Sequence, residues 1–195
     1  MRTPGVRLRR RGRENVRVAF LVALQGVEQV ELTEPWRELS AAGHTPRLVS
    51  TGAGRIQAYH HLDKADTFAV DQDISDATVA EYDALVLPGG VANPDTLRLR
   101  PDAVAFVKGF CDAGKPVAAI CHAPWLLVEA DAVRGRTLTS FPSVRTDIRN
   151  AGGTWVDQPV RVCDAGPGPL ITSRRPRDLK VFDEAIVNRL SGAPV

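Results

Sequence analysis

Short apolar runs that stop at proline or glycine, alternating with stretches of helical periodicity, constrain this chain more than any other feature. Residues 16–24 read VRVAFLVAL, residues 84–87 ALVL and residues 116–120 PVAAI. They are rich in Val, Ala and Leu, and the last two lack polar alternation, the pattern of a strand covered on both faces. Residues 46–51 and 67–70 read as two further strands. Helical patterns lie between them. Residues 27–42 place Val27, Val30, Leu32, Trp36 and Leu39 at helical spacing and close on Gly43, with Pro35 predicting a kink. Residues 102–113 follow Pro101 and end at Gly114. Residues 122–130, 142–151 and 178–190 complete the helices, and residues 154–162 with 170–173 predict a hairpin. Such alternation predicts an α/β fold, a mostly parallel sheet with helices on both faces. With 195 residues, no repeat and no linker, residues 16–195 read as one domain.

Charge and cysteine content narrow the function classes. Arg2, Arg7, Arg9, Arg10, Arg11 and Arg13 crowd the first 15 residues against Glu14 alone, so the formal +2 of the whole chain hides a mildly acidic body. That body offers no nucleic-acid footprint. Residues 1–15 read as a flexible basic extension or the product of an upstream start codon, with a subunit- or polyanion-contacting arm as the sharper alternative. No apolar stretch follows the arginines as in a signal peptide, and no run is long enough to span a membrane. Three cysteines, Cys111, Cys121 and Cys163, form no paired motif, which suits a reducing cytoplasm. His60 and His61 are adjacent and point apart in a strand, so no metal site and no cofactor are expected.

Cys121 stands apart from the other two cysteines. The strand PVAAI runs straight into it, and a helix is predicted at once after it. Ala119-Ile120-Cys121-His122-Ala123 is a small-x-nucleophile-x-small pattern, as a tight strand-to-helix elbow requires. A helix N-terminus favours thiolate, so a depressed Cys121 pKa is expected, and backbone N–H groups at the turn suit an oxyanion. Pro88-Gly89-Gly90 ends the neighbouring strand and makes Gly89 and Gly90 candidate second donors beside the His122 N–H. Glu28 and Glu31 share one face of the first helix, and one of them is expected to point at the thiol. A protonated carboxyl there would lower the thiol pKa, a charged one would raise it. No histidine follows His122, which excludes a triad with a distant downstream base.

These residues carry a resemblance. GVEQVEL, DALVLPGG, AGKPVAAICHAPWLL, RGRTLTSFPSVRTDIRNAGGTWVD and LITSRRPRDL together resemble the PfpI (intracellular-protease-like) branch of the DJ-1 superfamily over about residues 16–190. The resemblance implies a flavodoxin-like sandwich and at least a homodimer. It implies Cys121 as nucleophile, His122 as its partner and Glu31 at the thiol. It also implies an acid after PGG, supplied by a neighbouring subunit, that orients the histidine. Here that acid is Asp95, a carbon shorter than the family's glutamate and in a longer loop. Phe141 replaces a frequent Tyr or Trp, and Ala123 a frequent glycine.

Two classes of function compete. The first is a cysteine-dependent stress-response enzyme attacking electrophilic carbonyls, either glyoxalase- or deglycase-like on small molecules or peptidase-like on amides. The second is a redox sensor or holdase-like chaperone in which Cys121 is oxidised or incidental. The short Asp95 makes small carbonyls the better substrates, because amide cleavage depends on a well-placed imidazolium.

Overall fold

The computed structural model describes residues 15–193. The arginine-rich arm, expected to be a flexible extension, lies outside the described residues apart from Asn15. In chain order the strands are β1 (Arg17–Val22), β2 (Gln25–Glu28), β3 (Thr45–Ser50), β4 (Arg55–His60), β5 (Asp63–Ala69) and β6 (Gln72–Asp73). They continue with β7 (Ala84–Leu87), β8 (Val117–Ile120), β9 (Thr137–Leu138), β10 (Thr154–Trp155), β11 (Val160–Cys163) and β12 (Leu170–Ser173). The helices are α1 (Gln29–Ala41), α2 (Ala92–Arg98), α3 (Pro101–Asp112), α4 (Pro124–Glu129), α5 (Arg145–Asn150) and α6 (Leu179–Ser191).

Seven strands form the central sheet in the order β11-β12-β8-β7-β1-β3-β6. All its pairings are parallel except β11 with β12, the antiparallel hairpin expected at the end of the chain. The unbroken apolar runs have a direct cause: both faces of the sheet are buried. Alternate residues of β1 divide between the faces. Val18, Phe20 and Val22 join Leu32 and Leu39 of α1 and Phe182 and Ile186 of α6. Ala19 and Leu21 join Leu97, Phe106, Phe110, Leu126 and Ile148 from α2, α3, α4 and α5.

Several expected boundaries shift. The first strand stops at Val22, and residues 25–28, assigned in part to the helix, form β2 of a separate three-stranded sheet in the order β2-β4-β5. β2 runs parallel to β4, and β4 antiparallel to β5. Helix α1 contains Pro35, as expected, and starts two residues later than its pattern suggested. The expected strand over residues 154–162 divides, because Thr154 and Trp155 pair with β9 while Val160–Cys163 joins the central sheet. The expected helix at 142–151 opens as a 3₁₀ turn, Pro142–Val144, before α5.

Candidate active site

The carboxyl ends of β7 and β8 lie side by side, and the turn after each supplies the site, as parallel sheets do. Cys121 leaves β8 with φ of +63°, the left-handed region, which costs a non-glycine residue roughly 1–3 kcal/mol. Three backbone hydrogen bonds hold it there. The Cys121 N–H donates to Ser173 O at 3.1 Å, the Phe141 N–H donates to Cys121 O at 2.8 Å, and the Ala123 N–H donates to Ile120 O at 3.1 Å.

The elbow places Cys121 Sγ 3.2 Å from His122 Nδ1. The imidazole stacks on Phe141, with centroids 4.6 Å apart and planes at 23°, and lies 5.1 Å from the Trp125 ring. Its far nitrogen, Nε2, is 3.1 Å from Ser143 Oγ. Burial holds the His122 pKa below the usual histidine value, so the ring is neutral at pH 7 and able to accept a proton.

Glu31 is fully buried in the first turn of α1. Its Oε2 accepts the Gly89 N–H at 2.8 Å, whereas Oε1 has no hydrogen-bond partner among the described residues. Burial pushes this carboxyl up to about 8, against the pull of the Gly89 and Cys121 hydrogen bonds. At neutral pH it is therefore largely protonated beside Cys121. The thiol is raised as well. Burial is the largest cause, an ionised Glu31 adds to it, and the N–H groups of His122 and Gly90 oppose it. The expected depression of the Cys121 pKa is thus corrected. Helix α4 begins only at Pro124 and runs six residues, too short a dipole to outweigh desolvation. The resting Cys121 side chain is a thiol whose proton has an acceptor at His122 Nδ1.

Two glycines let these pieces meet. A Cβ on Gly89 would lie 2.6 Å from Cys121 Cβ and 2.8 Å from Ile120 O. Gly90 has φ of +79°, and a Cβ there would run into Gly26 O and sit 2.9 Å from Glu28 N. The two candidate donors are placed differently. The Gly89 N–H is committed to Glu31, whereas the Gly90 N–H lies near enough to lower both the Glu31 carboxyl and the Cys121 thiol, and the His122 N–H lowers the thiol.

Cys121, His122, Glu31, Gly90, Phe141, Glu28 and Asp95 line one cavity of about 780 Å³. Glu28 turns from the thiol: its Oε2 accepts the His61 N–H at 3.0 Å and so ties down the β4–β5 turn over the cavity. Asp95 is exposed on α2, and among the described residues the group at His122 Nε2 is Ser143. Sequence reasoning missed Ser143, and it missed Asn93. Asn93 is fully buried, accepts the Ala23 N–H at 2.7 Å and donates to Pro88 O at 2.9 Å, bracing the ends of β1 and β7. No local pattern marks either residue. Cys111 and Cys163 lie away from the cavity, packed in the opposite core.

Comparison with known proteins agrees with this architecture. The model of the DJ-1/PfpI family matches residues 16–189. The chain is 41% identical over 166 residues to Protein/nucleic acid deglycase 2 of Escherichia coli (strain K12), covering 85% of this chain and 92% of that protein. It is 39% identical over 156 residues to General stress protein 18 of Bacillus subtilis (strain 168), covering 80% and 87%. Among solved structures, a two-domain protein from Anabaena variabilis containing DJ-1/ThiJ/PfpI-like and ferritin-like domains superposes with a TM-score of 0.81 at 35% identity. That match spans 91% of this chain and 50% of the larger one. The elbow cysteine, the buried glutamate facing it and a family match over nearly all the described residues lead to one conclusion: the chain belongs to the DJ-1/PfpI family.

Proposed function

We propose that the protein is a cysteine-dependent enzyme acting on small electrophilic carbonyls, in the manner of a cofactor-independent glyoxalase or deglycase. The observation that carries this reading is the Cys121 Sγ–His122 Nδ1 contact of 3.2 Å at the wall of a 780 Å³ cavity. In the first step the thiol proton passes to Nδ1 and the sulfur lone pair forms a bond to the carbonyl carbon. The C=O π pair moves onto oxygen, where the N–H groups of Gly90 and His122 receive it. Protonation of that oxygen gives a hemithioacetal. Glu31, carrying a proton up to about 8, is placed to exchange it with the adduct.

Three features favour small carbonyls over peptides. The imidazole base meets a neutral hydroxyl rather than a carboxylate, which leaves the imidazolium a poorly supported general acid for a departing amine. Aldehyde addition expels no leaving group. Among the described residues the cavity lining carries Glu28, Glu31 and Asp95 but neither lysine nor arginine, which suits uncharged substrates. Leu62 and Val91, exposed at the cavity rim, support assembly as a homodimer or larger homo-oligomer that covers them.

The test is consumption of methylglyoxal and cleavage of peptides by the purified protein, with Cys121→Ser as control. Methylglyoxal consumption that disappears in the variant, with a higher kcat/KM than peptide cleavage, is the expected result. Efficient Cys121-dependent peptide cleavage without aldehyde turnover would overturn the assignment.

A further inference from the structure

We propose that Ser143 is the positioning residue that orients His122 from within the same chain, in the place where a carboxylate would otherwise stand. The inference rests on the reading of Cys121 and His122 as nucleophile and base. Stacking on Phe141 and contact with Trp125 fix the plane of the imidazole. They do not fix which edge faces the sulfur. A half-turn about the Cβ–Cγ bond leaves the stacked faces unchanged but replaces Nδ1 by a carbon beside Sγ. The polar contact that distinguishes the two poses is Ser143 Oγ, 3.1 Å from Nε2. After a half-turn that hydroxyl would face carbon as well, so the observed pose gains two hydrogen bonds over its alternative.

Proton bookkeeping gives the same assignment. With the thiol proton donated to Nδ1, the neutral ring carries its own hydrogen on Nε2 and donates it to Ser143 Oγ. When Nδ1 takes the thiol proton, Nε2 keeps its hydrogen and the Ser143 contact survives unchanged. No rearrangement is needed during attack. A hydroxyl does this without a charge, so burial still keeps the resting ring neutral.

One short turn supplies both restraints. Pro142–Val144 forms a 3₁₀ turn, so the stacking ring of Phe141 and the hydroxyl two residues later are set by the same backbone. Pro142 fixes one of its dihedrals. Ser143 itself is exposed, so its truncation leaves the core intact.

The experiment compares the full-length protein with Ser143→Ala and Ser143→Thr. Methylglyoxal kinetics are measured across pH, and the His122 ring is titrated by NMR. The expected result for Ser143→Ala is a kcat about tenfold lower, the scale of one net hydrogen bond, with KM unchanged. The His122 midpoint should fall, because the imidazolium has lost an acceptor at Nε2. Ser143→Thr keeps the hydroxyl and should restore both. An unchanged kcat and titration in Ser143→Ala overturns the proposal. So does a loss in Ser143→Thr as deep as in Ser143→Ala, or a midpoint shift seen in Asp95→Asn instead. If Cys121→Ser retains turnover, the enzyme reading fails, and the NMR titration still decides the Ser143 contact by itself.

Discussion

Replacing Glu31 by Gln should make the protein more stable relative to wild type as the pH rises. In the unfolded chain the carboxyl ionises near 4.5, and in the folded protein near 8. Its folded-state pKa is the higher one, so its contribution is fully present below 4.5 and is lost as pH climbs toward 8. The rate of loss is about 1.4 kcal/mol per pH unit between the two values, which amounts to about 3 kcal/mol between pH 4.5 and 7 and about 4 kcal/mol by pH 8, where the folded carboxyl is itself half ionised. Glutamine preserves the shape and an oxygen for the Gly89 N–H at 2.8 Å, but it cannot ionise. Urea unfolding of both proteins at pH 5, 6, 7 and 7.5 and one fixed protein concentration gives the difference directly. Asp183, which burial pushes up to about 7, adds a pH dependence of the same sign to both proteins and cancels in that difference. The stability gap should widen steadily in favour of Glu31→Gln. Parallel curves, or a gap that widens the other way, would show that this carboxyl ionises normally and that the protonated carboxyl beside Cys121 does not exist.

Three further outcomes follow from the geometry. Gly90→Ala forces a left-handed alanine against Gly26 O, so it should lower stability by about 1–2 kcal/mol and abolish methylglyoxal turnover; a folded variant with normal kcat would remove Gly90 from the site. Phe20→Ala empties a fully buried position packed 5.2 Å from the Trp36 ring and should cost about 3–5 kcal/mol in urea unfolding. Glyoxylate, an anionic aldehyde, should show a lower kcat/KM than methylglyoxal, because the cavity lining is acidic; equal values in steady-state kinetics would mean that the lining charge plays no part in selection.

The sheet was legible wherever chain punctuation and burial coincide. Strands β7 and β12 fall where the apolar runs of residues 84–87 and 170–173 place them, and α3 begins at the proline that precedes its expected start. The small sheet was legible only at residues 67–70, which overlap the end of β5; the rest of β5 is largely exposed and carries Asp63, Lys64 and Asp66, with little apolar pattern to read. Helix α2 escaped for a different reason: Asn93-Pro94 looks like loop, yet Pro94 sits in the first turn, where its missing N–H costs nothing. In the site, the sequence singles out Cys121 through its small neighbours and the pair Glu28 and Glu31 through their place at the start of the first helix, and the family resemblance chooses Glu31 between them. It could not reveal that Glu31 takes the Gly89 N–H, nor that Ser143 meets His122, since both contacts depend on segments brought together only by folding. The sign of the thiol shift was misjudged because helix position is a local property whereas desolvation depends on the whole packed structure.

The raised thiol gives Cys121 a chemical history that runs with the life of the chain. In an unfolded or newly made molecule the sulfur ionises like that of any free cysteine and is open to every passing electrophile. Once β8, β12 and the Phe141 turn close around it, general reagents meet a neutral, buried thiol with His122 Nδ1 3.2 Å away. The rate at which a general alkylating agent labels Cys121 should report how often the molecule opens, and partly unfolded copies should accumulate adducts first.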